Sequence, residues 1–161
     1  MNLEIERKFL LKRLPDEKPD EVIKMDQWYL KVGDVYERVR QRQWKSTGKI
    51  DWIHTIKNYV DEMTNEEIEK LISPEEYHNF IKKCKEPESD SRYIQKRRLI
   101  YKNGNDTWEV DKFLEVDVII AEIEIPNKEY EVKLPNFIID NLIYEVTGIK
   151  EFSNKNLSDK I

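Results

Sequence analysis

Several residue types that functional sites often use are scarce in this chain of 161 residues. The single cysteine, Cys84, excludes an internal disulfide and favours a reducing compartment such as the cytoplasm. The two histidines, His54 and His78, stand too far apart in sequence for the ligand spacing of a zinc site. The four glycines are dispersed, so they form no glycine loop of the kind that holds phosphate. Any binding of phosphate must therefore use side chains.

The chain also lacks long hydrophobic runs and a positive net charge. No apolar run is long enough to span a membrane, and the charged start is not typical of a signal peptide. The net charge of -5 argues against general nucleic-acid binding. Although 38% of the residues are charged, apolar residues recur regularly, so we expect one folded domain over residues 1–161.

Alternation of polar and apolar residues dominates the sequence. It predicts strands over residues 3–11, 27–31, 35–44, 50–57, 66–72, 92–102, 107–113 and 116–126. Ser73, Pro74 and Glu76 have the pattern of a capping box that begins a helix ending near Lys85. Residues 135–142 read as a second helix, and residues 21–26 as the end of a loop or short helix begun at 15–19. About eight strands with few helices predict an antiparallel barrel.

Charged residues recur two positions apart on the polar faces of these strands. In the first strand Glu4, Glu6 and Lys8 share one face, whereas the other face is apolar apart from Arg7. If the apolar faces pack against helices and loops, the charged faces turn inward and line a tunnel. Such a lumen is costly in desolvation unless ions and water occupy it.

The charges on these faces are of both signs. The acidic set is Glu4, Glu6, Asp111, Glu122 and Glu124; the basic set is Lys8, Arg38, Arg40, Arg42, Lys57, Lys96 and Arg98. Arginine donates bidentately to phosphate oxygens, and carboxylates bind Mg²⁺ or Mn²⁺. The combination indicates a polyphosphate bound together with a divalent metal.

An ordered set of short motifs resembles the CYTH proteins, the triphosphate tunnel metalloenzymes. The motifs are Glu4-Ile5-Glu6-Arg7-Lys8-Phe9, Arg38-Val39-Arg40, Thr55-Ile56-Lys57, Glu67-Ile68-Glu69, Lys96-Arg97-Arg98, Glu109-Val110-Asp111, Ala121-Glu122-Ile123-Glu124 and Val146-Thr147-Gly148. The resemblance covers nearly the whole chain. It implies an eight-stranded antiparallel tunnel and an enzyme that hydrolyses inorganic triphosphate, thiamine triphosphate or nucleoside triphosphates, or that cyclises ATP.

The resemblance also assigns roles by position. Glu4, Glu6, Glu122 and Glu124 are the implied ligands of Mg²⁺ or Mn²⁺, with Asp111 near the metal. The implied triphosphate-binding residues are Lys8, Arg38, Arg40, Lys57 and Arg98, with Lys96 at the reacting end and Lys150 in a Thr-Gly-x-Lys pattern. For catalysis we expect Lys57 and Lys96 to offset charge on the substrate, and Glu69 to orient the attacking water.

Two positions depart from the family pattern, and each leaves one phosphate contact open. Asn65 stands where an arginine is common, and Glu151 where a basic or small residue is common. The His-Phe pair found upstream in cyclase-type relatives does not precede Glu4, which disfavours cyclisation. Inorganic triphosphate is the expected substrate of a monomer or homodimer. The alternatives are a thiamine triphosphatase, with Trp44 or Trp52 at the tunnel mouth, a nucleoside triphosphatase, an adenylate cyclase of the class IV type, a non-catalytic binder of polyphosphate or nucleotide, or a purely structural barrel.

Overall fold

Strands make up most of the protein, for which a computed structural model describes residues 2–160. The strands are β1 (Asn2–Leu11), β2 (Glu21–Val32), β3 (Val35–Trp44), β4 (Ile50–Tyr59), β5 (Thr64–Leu71), β6 (Ser91–Asn103), β7 (Asp106–Phe113), β8 (Ile119–Glu124), β9 (Leu142–Glu145) and β10 (Asp159–Lys160). The helices are α1 (Pro74–Cys84), α2 (Asn136–Ile139) and α3 (Asn154–Leu157), with a 3-10 turn at Lys150–Phe152.

Eight of these strands close into an antiparallel barrel. The hydrogen-bonded order is β1-β5-β4-β3-β2-β6-β7-β8, and β8 pairs with β1 to complete the circle. β9 adds to β1, and β10 adds to β6. The predicted mainly β fold with a closed eight-stranded barrel and a few flanking helices is therefore confirmed.

The predicted capping box at the start of α1 is present. The Ser73 hydroxyl accepts a hydrogen bond from the backbone N–H of Glu76, and the Glu76 side chain accepts one from the backbone of Ser73. These bonds satisfy two backbone donors that a helix start otherwise leaves free. α1 covers the outside of the barrel at β2 and β4, where the Trp28 indole donates to the Tyr77 hydroxyl and His54 contacts Phe80.

A second outer layer covers the opposite wall of the barrel. Its buried cluster comes from the outward faces of β1, β7 and β8 together with α2, and includes Phe9, Trp108, Ala121, Ile123 and Ile138. The chain between β8 and β9 packs over this cluster through partly buried side chains such as Tyr130, Val132 and Leu134. Because both outer layers bury the apolar strand faces, the charged faces are left to the barrel interior.

The interior itself divides into an apolar half and a charged half. The apolar half is built on Tyr29, Ile94, Phe113 and Ile120, against which Leu10, Phe152 and Leu157 pack. The charged half begins two residues further along the same strands, at Lys8, Lys96, Asp111 and Glu122. Phe152 and Leu157 belong to the C-terminal segment, so this tail packs against the apolar half.

Two of the sequence predictions about local structure are wrong. Residues 21–26 form the first half of β2 rather than the end of a loop or helix, because Ile23 and Met25 face inward and are buried. The predicted helix at 135–142 is limited to α2, and Leu142 already begins β9. β9 gains its ladder partner from β1, a long-range pairing that overrides the local helical pattern.

Each helix within residues 2–160 is too short, or too poor in apolar residues, to cross a membrane.

Candidate functional site: a charged tunnel

A cavity of about 380 Å³ occupies the charged half of the barrel. Its charged lining residues come from seven strands: Glu4, Glu6, Lys8, Arg38, Arg40, Arg42, Lys57, Glu67, Glu69, Arg98, Glu109, Glu122 and Glu124. Cross-strand partners in an antiparallel sheet share one face, so the register itself brings these side chains together. The i, i+2 charge pattern is thus the lining of a single cavity.

Like charges lie directly opposite each other on one wall of the cavity. This wall, formed by Glu6, Glu109, Glu122 and Glu124, is called the carboxylate wall below. Glu6 lies opposite Glu124, and Glu122 lies opposite Glu109. Burial and the neighbouring Glu122 carboxylate raise the pKa of Glu6 to about 8. Burial and the Glu4 carboxylate also raise the pKa of Glu124. Opposed carboxylates of this kind are destabilising by themselves and would be stabilised by a cation.

Glu4 and Glu67 form a second acidic pair near Lys57. The Lys57 ammonium lies 3.1 Å from a Glu4 oxygen and 3.9 Å from a Glu67 oxygen. Burial and the bond to Glu4 raise the pKa of Glu67 to about 9. Burial acts to raise the pKa of Glu4 as well, but bonding to Glu67 and the charge of Lys57 outweigh it and lower that pKa to about 2. The pair therefore keeps one proton, and Glu69, exposed at the rim, bonds to the Glu67 carboxyl.

Arg40 is the clearest anion-binding group of the cavity. Its side chain is almost wholly buried, makes no ion pair within residues 2–160, and its Nε has no hydrogen-bond partner there. Burial, together with the Arg38 and Arg98 guanidinium groups, lowers the pKa of Arg40 to about 9. Arg38 donates one bond to the Thr55 hydroxyl, and its own Nε is also without a partner. Two neighbouring buried arginines with free donors are suited to bind an anion.

Asp111 and Lys96 face the barrel interior but line neither cavity. The Lys96 ammonium donates to Asp111 Oδ2 at 2.7 Å and to Asn154 Oδ1 at 3.0 Å. Arg98 donates to both Asp111 oxygens, at 2.8 and 2.9 Å. Burial raises the pKa of Asp111, but Arg98 and Lys96 outweigh it and lower it overall. Burial and the charge of Arg98 lower the pKa of Lys96 to about 7.

A second cavity of about 710 Å³ opens towards the other end of the barrel. It shares Glu6, Lys8, Arg38, Lys57 and Asn154 with the charged cavity, so the two are parts of one passage. Its remaining wall carries Tyr29, Tyr36, Tyr59, Asn58, Asn65 and tail residues that include Lys150 and Lys155. Neither Trp44 nor Trp52 lines either cavity.

The donor set of the charged cavity fits a hard divalent cation. Among residues 2–160, no three ligand-type side chains are grouped closely enough to form a metal site as they are arranged. Glu6, Glu122 and Glu124 nevertheless offer carboxylate oxygens from two paired strands, and Glu4 stands two residues before Glu6. The raised pKa of Glu6 and of Glu124 reflects negative charge that a cation would stabilise. The ligand roles of these residues remain a prediction.

The structure brings most of the predicted site residues together and adds others. Lys8, Arg38, Arg40, Lys57 and Arg98 line the charged cavity with Glu4, Glu6, Glu69, Glu122 and Glu124, whereas Lys150 lines only the second cavity. Sequence reasoning missed Glu67, Glu109 and Asn154 as lining residues. The same i, i+2 spacing that identified Glu69 and Asp111 also marks Glu67 and Glu109. No local pattern marks Asn154.

Comparison with known proteins gives matches at the level of structure alone. No protein-family model matches the sequence, and no curated protein does. The PH1012 protein from Pyrococcus horikoshii OT3 is 23% identical, with a TM-score of 0.56 over 78% of this chain and 80% of that one. The HpAC1 protein from Hippeastrum is named as a candidate adenylyl cyclase with a dominant triphosphatase activity. It is 14% identical, with a TM-score of 0.56 over 78% of this chain and 81% of that one.

A third structural match covers more of this chain. The bh2851 protein of Bacillus halodurans, named as a candidate adenylate cyclase, is 13% identical, with a TM-score of 0.52 over 87% of this chain and 98% of that one. The chain therefore shares the closed antiparallel barrel fold of these structures, which is the fold that the resemblance to the CYTH proteins implies.

Proposed function

We propose that the protein is a divalent-metal-dependent hydrolase of triphosphate compounds, with inorganic triphosphate as the preferred substrate. The observation that carries this proposal is the charged cavity, in which two buried arginines, each with an Nε that has no hydrogen-bond partner among residues 2–160, lie near opposed carboxylates. Buried arginines and opposed carboxylates each cost free energy when their charge is not neutralised. A polyanion would neutralise the arginines, and a cation bound with it would neutralise the carboxylates. The fold shared with a protein described as having dominant triphosphatase activity supports the reaction class.

The basic residues would hold the phosphate groups. Arg38 and Arg40 present free guanidinium donors, and Lys8 and Lys57 supply point charges at the junction of the two cavities. Glu4, Glu6, Glu122 and Glu124 would hold Mg²⁺ or Mn²⁺, which when bound would offset charge on the substrate and activate water. Because phosphoryl transfer depends mainly on positioning and charge stabilisation, a rigid barrel wall suits it.

Glu69, Lys57 and Lys96 have different positions relative to the cavity. Glu69 lies at the cavity rim beside Glu67, where it could accept a hydrogen bond from the attacking water. Lys57 is next to Glu4 and reaches both cavities. Lys96 contacts the passage only through Asn154 and fixes Asp111, which in turn holds Arg98. We therefore assign Lys96 a positioning role.

The second cavity favours one alternative substrate class. Its wall carries the rings of Tyr36 and Tyr59 and the amides of Asn58 and Asn65. Such groups could contact the organic part of a nucleoside or thiamine triphosphate whose phosphates occupy the charged cavity. Inorganic triphosphate leaves this space to solvent, so measured specificity separates the two possibilities.

Phosphate release tests the proposal directly. Triphosphate, thiamine triphosphate, ATP and pyrophosphate should each be assayed with Mg²⁺, with Mn²⁺ and with excess chelator. We expect kcat/KM for triphosphate to exceed that for ATP by at least roughly tenfold, which is about 1.4 kcal/mol of transition-state stabilisation. Activity that persists undiminished in chelator would contradict metal dependence. Equal or higher kcat/KM for an organic triphosphate would shift the assignment to that substrate.

A further inference from the structure

The barrel wall is incomplete behind Lys8. β1 pairs with β5 only from Asn2 to Ile5, where Ile5 lies opposite Thr64. Past that point the same edge of β1 is met by other groups: the Glu6 N–H donates to the Met63 carbonyl, and β9 pairs from Phe9 onwards. Lys8 lies between these two stretches and therefore has no regular strand partner on this edge.

Thr147 fills the gap with its side chain. The Lys8 backbone N–H donates to the Thr147 hydroxyl oxygen at 2.9 Å, and the neighbouring Val146 N–H donates to the Lys8 carbonyl at 2.8 Å. A side-chain hydroxyl thus replaces the backbone carbonyl that a regular ladder would supply. Both backbone groups of Lys8 on this edge are held by the segment that follows β9.

An ion pair on the outer surface holds the Thr147 hydroxyl in turn. The hydroxyl donates to Glu145 Oε2 at 2.7 Å. The same carboxylate accepts two bonds from Arg7, at 2.9 Å from Nε and 2.7 Å from Nη2. Arg7 is the one charged residue on the otherwise apolar outer face of β1, and this fork explains its presence there. Arg7, Glu145 and Thr147 are called the outer network below.

The chain turn after Thr147 fixes where the outer network sits. Gly148 has a φ of +74°, and a Cβ at this position would lie 2.8 Å from the Glu62 Cβ. A larger residue would be strained and would collide with the loop between β4 and β5, so the turn requires glycine. Thr147 is therefore held at a fixed distance from β1.

The Lys8 side chain lies on the opposite face of the wall, inside the passage. Its ammonium is 3.6 Å from Glu6 and 3.7 Å from Glu122, at the junction of the two cavities. We propose that Thr147, backed by Glu145 and Arg7, is a positioning residue that fixes Lys8 for binding of the triphosphate anion. This inference rests on the proposed function, because it concerns an anion-binding residue of the same site.

Binding measurements on threonine variants test this role. Thr147→Val is nearly isosteric but loses both hydrogen bonds, and it should weaken triphosphate binding about three- to tenfold in isothermal titration calorimetry with excess chelator, where no hydrolysis is expected. Thr147→Ser keeps the hydroxyl and should bind within about twofold of the wild type. Thr107→Val, on the exposed part of β7, is the matched control and should bind like the wild type.

A double-mutant cycle separates positioning from a merely structural contribution. In a Lys8→Met background, Thr147→Val should cause no further loss of affinity, although it should lower Tm as much as it does in the wild type. Additive losses of affinity, or unchanged binding by Thr147→Val, would overturn the inference. If that variant does not fold, Glu145→Gln removes the charged end of the outer network and should weaken binding at least about threefold, and binding within about twofold of the wild type would again overturn the inference.

Failure of the proposed function has a different signature. A wild-type protein that binds triphosphate without hydrolysing it would contradict the enzyme assignment, while the threonine variants would still test the role of Thr147. A wild-type protein that binds neither triphosphate nor pyrophosphate would overturn both.

Discussion

The two halves of the barrel interior are built on the same strands, but the inward-facing side chains are apolar in one half and charged in the other. The inward-facing residues change from apolar to charged between Leu10 and Lys8, between Ile94 and Lys96, between Phe113 and Asp111, and between Ile120 and Glu122. Each change takes one step of two residues, the period of a strand. The change is staggered from strand to strand, because Lys96 lies opposite Phe113 and Asp111 lies opposite Ile120, so the boundary between the halves runs obliquely across the barrel.

The difference between the halves indicates what each contributes. Burial of the apolar half stabilises the fold through contacts that the hydrophobic effect and dense packing favour. The charged half carries opposed carboxylates and, within residues 2–160, buried Arg38 and Arg40 Nε atoms that have no hydrogen-bond partner, both of which cost free energy on folding. Substitutions in the apolar half should therefore lower stability, and substitutions in the charged half should lower activity.

The largest effect is expected from Glu122→Gln in the charged half. The substitution keeps the side-chain volume but removes a carboxylate that faces Glu109 and Lys8. We expect kcat/KM for triphosphate to fall at least about 1,000-fold, or roughly 4 kcal/mol, with Tm changed by less than about 3 °C. Steady-state kinetics and thermal melts measure the two quantities. Glu129→Gln, at an exposed position, serves as the control. A large loss of Tm with little loss of activity would assign the charged half a structural role.

An intermediate effect of the opposite kind is expected from Ile94→Ala in the apolar half. Ile94 is 1% exposed, so the truncation leaves a cavity within the cluster. The free energy of unfolding should fall by about 2–5 kcal/mol in a denaturant titration. The KM for triphosphate should stay within about threefold of the wild-type value, because Lys96 and Arg98 keep their bonds to Asp111. A milder loss of stability together with a much higher KM would show that the two halves are not separable.

The smallest effect is a pH dependence of stability in chelator. The pKa of Glu6 is raised to about 8 and that of Glu67 to about 9, so the folded chain holds these protons more tightly than the unfolded chain. The free energy of unfolding therefore falls as the pH rises from the ordinary glutamate pKa of 4.5 towards these raised values. Between about pH 5 and pH 7 we expect Tm to fall by more than about 3 °C. Added Mg²⁺ should reduce the fall, and Glu6→Gln should flatten it. A rise of Tm over this interval would contradict the assignment of uncompensated charge to the carboxylate wall.

Local sequence patterns predicted much of the fold and most of the lining. The capping box at Ser73 and Glu76 depends on neighbouring residues alone, so it could be predicted directly. The inward position of Arg38, Arg40, Glu122 and Glu124 followed from strand periodicity. Residues 21–26 and 135–142 were misread because long-range strand pairing overrides local propensity there.

The contacts within the site could not be predicted in the same way. The placement of Lys57 beside Glu4 and Glu67, and of Glu6 opposite Glu124, depends on the register between strands distant in sequence. A shift of one residue in any strand would turn its charges outward. Asn154 contacts Lys96 because Phe152 and Leu157, on either side of it in the C-terminal tail, pack against the apolar half.

The sequence by itself determined which residues face one side of each strand, because side chains alternate with a period of two whatever the strand pairs with. It thereby determined that a barrel of this kind would have charges of both signs inside. Only the tertiary structure decided which charges meet and which remain without a partner. Closure of β6 on β7 and of β8 on β1 sets Asp111 against Lys96 and Arg98, whereas Arg40 has no ion-pair partner in the described part of the chain, residues 2–160. Those contacts arise from the register of the closed barrel, which no single strand contains.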